Sequence, residues 1–169
     1  MIIIEGTDCV GKTTLAKKIE AETGLLYRHL SRLPDGFNHY YDYLPLMHHN
    51  FVCDRLWLSD LAYRKAENKQ CDITPFIRSM LIAQQTLIGT IQVVITCDQQ
   101  LLEKRWNSNQ MYDLRTTSAA NGAFRLYAMS PRSYSVDLHI HLTEENPWPD
   151  ESETINLHKQ LTQQLKSIS

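Results

Sequence analysis

Near the start of the chain, Gly6-Thr7-Asp8-Cys9-Val10-Gly11-Lys12-Thr13 satisfies G-x-x-x-x-G-K-[ST] at every position. The pattern carries a mechanism. Its glycines let backbone N–H groups turn inward around phosphate oxygens, where a side chain would obstruct them. Lys12 offers a compact positive charge to β- and γ-phosphates, and the Thr13 hydroxyl can ligate Mg²⁺. The surroundings sharpen the signal. Ile2 to Ile4 is an apolar run closed by Glu5-Gly6, which reads as a strand buried on both faces. Thr13 to Thr23 carries Leu15, Ala16 and Ile19 at helical spacing and stops at Gly24. A strand, a glycine loop and a helix in this order present the positive end of the helix to an anion.

The remainder alternates between strand and helix patterns. Leu25 to Leu30 reads as a second strand, and Pro34-Asp35-Gly36 as a turn. Phe37 to His48 is aromatic-rich and helical in part, interrupted at Pro45. Phe51 to Cys53 forms a third short strand. Helical patterns follow over Leu58 to Asn68 and Thr74 to Gly89, the second with Pro75 in its first turn. Gln92 to Thr96 is a fourth strand, and Leu101 to Trp106 is a helix end that runs into the polar stretch Asn107 to Gln110. In the last strand Val136, Leu138, Ile140 and Leu142 alternate with Asp137, His139 and His141, so it has one wet face and belongs at an edge. His139 and His141 share that face but lack a third ligand, and read as its polar side. A final helix covers Glu151 to Lys166. With neither repeat nor linker, residues 1–169 are expected to form a single domain. The alternation predicts an α/β fold, a parallel sheet with helices on both faces and the glycine-loop strand at its centre.

Composition excludes some functions. A hydrophobic share of 43% and a charged share of 21% suit an ordinary core. A net charge of -2 argues against a surface built for duplex DNA or an acidic membrane, so nucleic acid and membrane are not expected partners. Cys9, Cys53, Cys71 and Cys97 are scattered without a C-x-x-C pair, which fits reduced thiols in the cytoplasm better than a disulfide framework or zinc site. No apolar run is long enough to span a membrane, and Met1 leads straight into a strand without a signal peptide's basic start and cleavage site. A cytoplasmic location is expected.

A second constellation, Asp54-Arg55, closes the third strand at the edge where ligands collect in open α/β sheets. Asp54 can hold Mg²⁺, and Arg55 offers a planar fork matched to phosphate; the plainer alternative is a local ion pair. Here a resemblance becomes specific. Glu5-Gly6-Thr7-Asp8 through Lys12-Thr13-Thr14 resembles the opening of thymidylate kinases, and Asp54-Arg55-x-x-x-Ser59-x-x-Ala62-Tyr63 is similar to their second motif. Leu33-Pro34 resembles the Phe-Pro of their acceptor pocket. The resemblance implies a three-layer P-loop fold with a five-stranded parallel sheet in the order 2-3-1-4-5. It also implies transfer of the γ-phosphoryl of ATP, with Mg²⁺, to a deoxynucleoside 5′-monophosphate, dTMP or a related pyrimidine. The donor would lie on Gly6, Thr7, Asp8, Cys9, Val10, Gly11, Lys12, Thr13 and Thr14, and Mg²⁺ on Thr13 and Asp54. Arg55 would hold the acceptor phosphate, with Asp8 between Mg²⁺ and the acceptor near its sugar hydroxyl. Tyr63 would press on the 2′ side of the sugar, with Ser59, Asp60 and Leu33 close by. The family commonly forms homodimers through helices packed against the sheet, which the apolar Met80-Leu81-Ile82 would allow.

The chain also departs from that family. It is short between the second and third strands, where the family supplies an arginine and an aromatic that clasp thymine. No arginine lies between Phe37 and Asn50. Arg78, from a later helix, is the substitute cation, and Phe37, Tyr40, Tyr41 or Trp57 the substitute stacking surface, although aromatics at such spacing more often serve a core. Phosphoryl transfer also needs positive charge on the migrating group and exclusion of water. A lid is expected at about 104–117, where Lys104-Arg105 and Arg115 bracket a polar segment. Arg105 and Arg115 join Lys12, Asp8 and Arg55 as candidate catalytic residues. Competing readings share the loop. A deoxynucleoside kinase needs a carboxylate after the second strand, where the chain has Arg28-His29-Leu30-Ser31-Arg32 with Asp35 nearby. A polynucleotide or modified-base kinase, and a nucleotide-binding regulatory protein, are the others; the last has no evident use for Arg55 with Tyr63.

Overall fold

The first strand, β1 (Ile2–Gly6), is buried at every position, as predicted for the apolar run Ile2 to Ile4, and Glu5 is buried with it. In the computed structural model, residues 1–30, 42–43, 45–46, 50–107 and 110–148 are described. The turn at Pro34, most of Phe37 to His48 and the final helix Glu151 to Lys166 lie outside them. After β1 come α1 (Lys12–Thr23), β2 (Leu26–His29), β3 (Phe51–Asp54), α2 (Trp57–Ala66) and α3 (Pro75–Leu87). Then follow β4 (Ile91–Cys97), α4 (Gln99–Arg105), α5 (Leu114–Ala128), the short α6 (Pro131–Tyr134) and β5 (Leu138–Leu142).

The five strands pair in the order β2-β3-β1-β4-β5, every pair parallel. The loop-bearing strand is therefore central and the alternating strand β5 is an edge, as their patterns predict. Alternation along the strands separates two cores. Ile3, Cys53 and Val94 face α2, α3 and α5, while Ile2, Ile4, Val52, Val93 and Ile95 face α1 and α4. Helix, sheet and helix make the three-layer P-loop arrangement. Each such aliphatic side chain contributes about 1.5–3 kcal/mol on full burial, so both faces of the sheet are held. The register sets Ile4 beside Asp54 and Gly6 beside Ile95, which brings the ends of β3 and β4 to either side of the glycine loop.

The sequence pattern does not announce α5. Thr116, Thr117, Ser118, Asn121 and Gly122 are weak helix formers, and its buried stripe mixes Thr117 and Asn121 with Ala120, Phe124 and Tyr127. Asp113 starts the helix by accepting from Thr116 N at 2.6 Å. The Asn121 amide then makes both of its bonds to the Cys97 backbone, 3.2 Å from the N–H and 2.7 Å to the carbonyl. That clamp fastens α5 to the end of β4.

On the wet face of β5, His139 Nε2 and His141 Nδ1 each stand 2.8 Å from Thr96 Oγ1. All four cysteines are free. Among the described residues no helix is long and apolar enough to cross a membrane. Of Met80-Leu81-Ile82, Leu81 is buried in the chain's own core, while Met80 remains exposed.

Candidate active site

The backbone between β1 and α1 folds back on itself, and only glycine fits at two points. Gly6 has φ 149°, and a Cβ there would stand 2.3 Å from the Ile95 carbonyl oxygen. Gly11 has φ 79°, and its Cβ would fall 1.9 Å from the Trp148 ring. Lys12 is 5% exposed and its Nζ donates to Thr7 O at 2.5 Å, across the mouth of the loop. Burial lowers its pKa, and the Asp54 and Glu5 carboxylates pull it back up. No side chain caps the N-terminus of α1. Its first amides are thus available to an anion.

Asp54 ends β3 directly behind the loop. The Thr13 hydroxyl donates to its Oδ2 at 2.5 Å, while the Tyr27 hydroxyl (3.5 Å) and His29 Nδ1 (3.4 Å) approach from β2. Asp54 Oδ1 and Asp8 Oδ2 are buried and have no hydrogen-bond partner among the described residues. Buried carboxylate oxygens without a donor are costly, and a cation removes that cost. Among the described residues no three His, Cys, Asp or Glu side chains gather as a ready-made metal cage. A carboxylate and a hydroxyl beside a phosphate loop fit Mg²⁺, which takes few protein ligands and completes its shell with phosphate oxygens and water. Thr13 and Asp54 are the residues that would hold it, with Asp8 close by.

Arg55 follows Asp54 at φ 75°, a left-handed conformation unusual for a side-chain-bearing residue. Its guanidinium pairs with Asp8 Oδ1 and lies over the Tyr63 ring, 5.6 Å from the centroid. The Tyr63 hydroxyl accepts from Asp8 N at 2.9 Å, and burial pushes its pKa well above the usual phenol value. Two cavities meet at this arginine. One is lined by Tyr43, Arg55, Ser59, Asp60, Tyr63 and Tyr112 among others. The second holds Asp8, Lys12, Thr13, His29 and Asp54, again with Arg55. Asp60 is braced by Arg64, whose Nε donates to both carboxylate oxygens at 2.9 and 3.2 Å.

No protein-family model and no curated protein matches the chain. Solved structures do. It is similar to the YorR protein of Bacillus subtilis, crystallised in complex with phosphorylated GDP, at 19% identity and TM-score 0.71, over 98% of this chain and 95% of that one. It is also similar to a deoxyadenosine kinase of M. mycoides with bound dCTP, at 15% identity and TM-score 0.54, over 96% and 100% of the two chains. The fold of the chain is that of the P-loop kinases.

Within this P-loop kinase fold most of the sequence-predicted residues converge. Gly6 to Thr14 form the loop and the start of α1, and Arg55, Ser59, Asp60 and Tyr63 line the neighbouring cavity. Arg105 reaches the loop from α4. Its Nη1 donates to Cys9 O at 3.5 Å and its Nη2 to Pro147 O, the residue before Trp148. Arg115 is exposed in the first turn of α5, beside the capping Asp113. In the expected lid segment, Gln110 and Met111 line the cavity beside the glycine loop. Tyr112 stacks on Tyr63 with centroids 4.3 Å apart, and its carbonyl accepts from Trp106 Nε1 at 3.2 Å.

Other expectations are not met at this site. Arg78 lies over the Tyr134 ring at 5.0 Å and does not line the cavity beside Arg55. Trp57 is fully buried in the core, which removes it as a stacking surface. Leu33, Phe37, Tyr40, Tyr41 and Asp35 lie outside the described residues. Conversely, sequence reasoning missed Tyr43, Tyr112, Trp148 and the anchoring role of Glu5. Their partners are distant in the chain; no short motif marks the three aromatics, and the loop motif that includes Glu5 does not reveal what its carboxylate holds.

Proposed function

We propose that the chain transfers the γ-phosphoryl of ATP to a deoxynucleoside 5′-monophosphate, dTMP or a related pyrimidine. The observation that carries this reading is Arg55, held at the junction between the phosphate cavity and the pocket containing Tyr63. A monophosphate gripped by its guanidinium would face a γ-phosphate lying on Lys12. Its oxygen is already an anionic nucleophile, so positioning replaces proton abstraction as the main task. Lys12 and Arg105 would stabilise charge on the migrating group, and the Tyr63–Tyr112 stack would shield it from water. Tyr63 would disfavour a 2′ hydroxyl. Mg²⁺ bound by Thr13 and Asp54 would neutralise charge across the donor phosphates.

A second reading has one observation in its favour. His29, at the end of β2, lines the phosphate cavity with Nδ1 3.4 Å from Asp54, where a base for a hydroxyl acceptor would stand.

The test is ADP release from Mg-ATP against deoxynucleoside monophosphates, their ribo forms and free nucleosides, guanine and adenine compounds included. The expected result is a preference for one deoxynucleoside monophosphate and a loss of about 100-fold or more in kcat/KM for Arg55→Ala. Turnover with nucleosides alone, abolished by His29→Ala, would replace the monophosphate reading with the second. Silence across the panel with ATP still bound would remove both.

A further inference from the structure

Helix α2 begins without a cap of its own, because Leu56 ahead of it has no side-chain acceptor. A residue of β1 supplies the cap. Glu5 Oε1 accepts from Leu56 N at 3.0 Å and Leu58 N at 3.1 Å. Its Oε2 accepts from Ser59 N at 3.1 Å and from the Ser59 hydroxyl. On the near side of the same turn, Arg55 N donates to Ile4 O at 3.0 Å. Adjacent residues of β1 therefore grip Arg55 from both sides, and its positive φ persists within that grip.

Capping a helix this way is expensive. Glu5 is 0% exposed, and burial raises its carboxyl pKa to about 7 even though four donors favour the ionised form. A serine or aspartate at position 56 would cap α2 locally at less cost. A local cap would not tie the Arg55 turn to the strand that carries the phosphate loop. Glu5 does so from the position immediately before Gly6.

We propose that Glu5 is a positioning residue that fixes the Arg55 guanidinium relative to the phosphate loop, so that donor and acceptor phosphates meet at a set separation. The proposal rests on Arg55 gripping the acceptor. Glu5 touches no substrate. Its influence runs through the backbone of residues 55–59, and transfer between two phosphates falls steeply with misplacement on the scale of an ångström.

The experiment is a double-mutant cycle on the full chain: wild type, Glu5→Gln, Arg55→Ala and the pair. Steady-state kinetics use the acceptor that the wild type prefers, and displacement of a fluorescent ATP analogue reads donor affinity. Glu5→Gln should lower kcat/KM for the acceptor about tenfold or more, leave ATP affinity within about twofold, and add nothing on top of Arg55→Ala. A matching fall in ATP affinity, or losses that add in the double variant, would overturn the proposal. Should Glu5→Gln not fold, Glu5→Asp keeps the charge, withdraws it by one methylene, and must show the same split. A wild type that phosphorylates nucleosides instead ends the monophosphate reading, while the cycle on that acceptor still decides the role of Glu5. A wild type silent on every acceptor overturns both.

Discussion

A methyl group on Gly11 would have to displace the Trp148 ring, 1.9 Å from its Cβ position, and would also be strained at φ 79°. Gly11→Ala is therefore expected to weaken ATP binding about tenfold or more, read by displacement of a fluorescent analogue. Unchanged affinity would mean that the Trp148 ring moves aside freely. The contact also marks what can be read along a chain. Gly6 to Thr13 was legible because all its groups act within one segment, and Asp54-Arg55 because a short motif carries it. Glu5 stands at the head of the loop motif, but the anchoring role of its carboxylate gave no sign, since its donors lie 51 to 54 residues further on. Trp148 and Tyr112 are hidden for the same reason: their meaning comes from Gly11 and Tyr63, which only folding brings near.

Among the elements, α5 is where local pattern and tertiary demand diverge most. Polar Thr117 and Asn121 lie on its buried stripe, so hydrophobic period alone does not reveal it. Its start is marked in the structure by Asp113, which accepts from Thr116 N. The strands were easier, because β1 opens on the apolar run Ile2–Ile4, β4 carries Val93–Ile95 without a break and β5 alternates cleanly. Asn121 belongs to this scale, since it joins a helix to a strand. Asn121→Ala should cost about 2–4 kcal/mol in urea unfolding, because it strands the buried Cys97 N–H and carbonyl together. A loss well below about 1 kcal/mol would show that both groups find other partners. Removal of that clamp also loosens the start of α4, whose Arg105 reaches the loop.

For the molecule as a whole, the buried carboxylate of β1 ties folding to pH. Glu5 titrates at about 7 in the folded chain, against 4.5 for an ordinary carboxyl. The folded state thus holds a proton that the unfolded state has released, a stabilisation complete below about pH 4.5 and lost as pH rises through about 7. Burial lowers the pKa of His139, so its protonation at lower pH works the opposite way. Comparison with Glu5→Gln isolates the carboxyl. The Tm of the wild type minus that of the variant should fall between about pH 4.5 and 7, and a flat difference would place Glu5 at the ordinary value. The strand order has a consequence in time. β1 precedes both of its neighbours in the chain, yet it pairs with Val52–Asp54 on one side and Ile91–Ile95 on the other. A ribosome must therefore deliver β4 before the glycine loop has the Ile95 carbonyl against which Gly6 turns. Until then the nascent chain carries the apolar run Ile2–Ile4 without shelter, and its nucleotide site is among the last features to be completed.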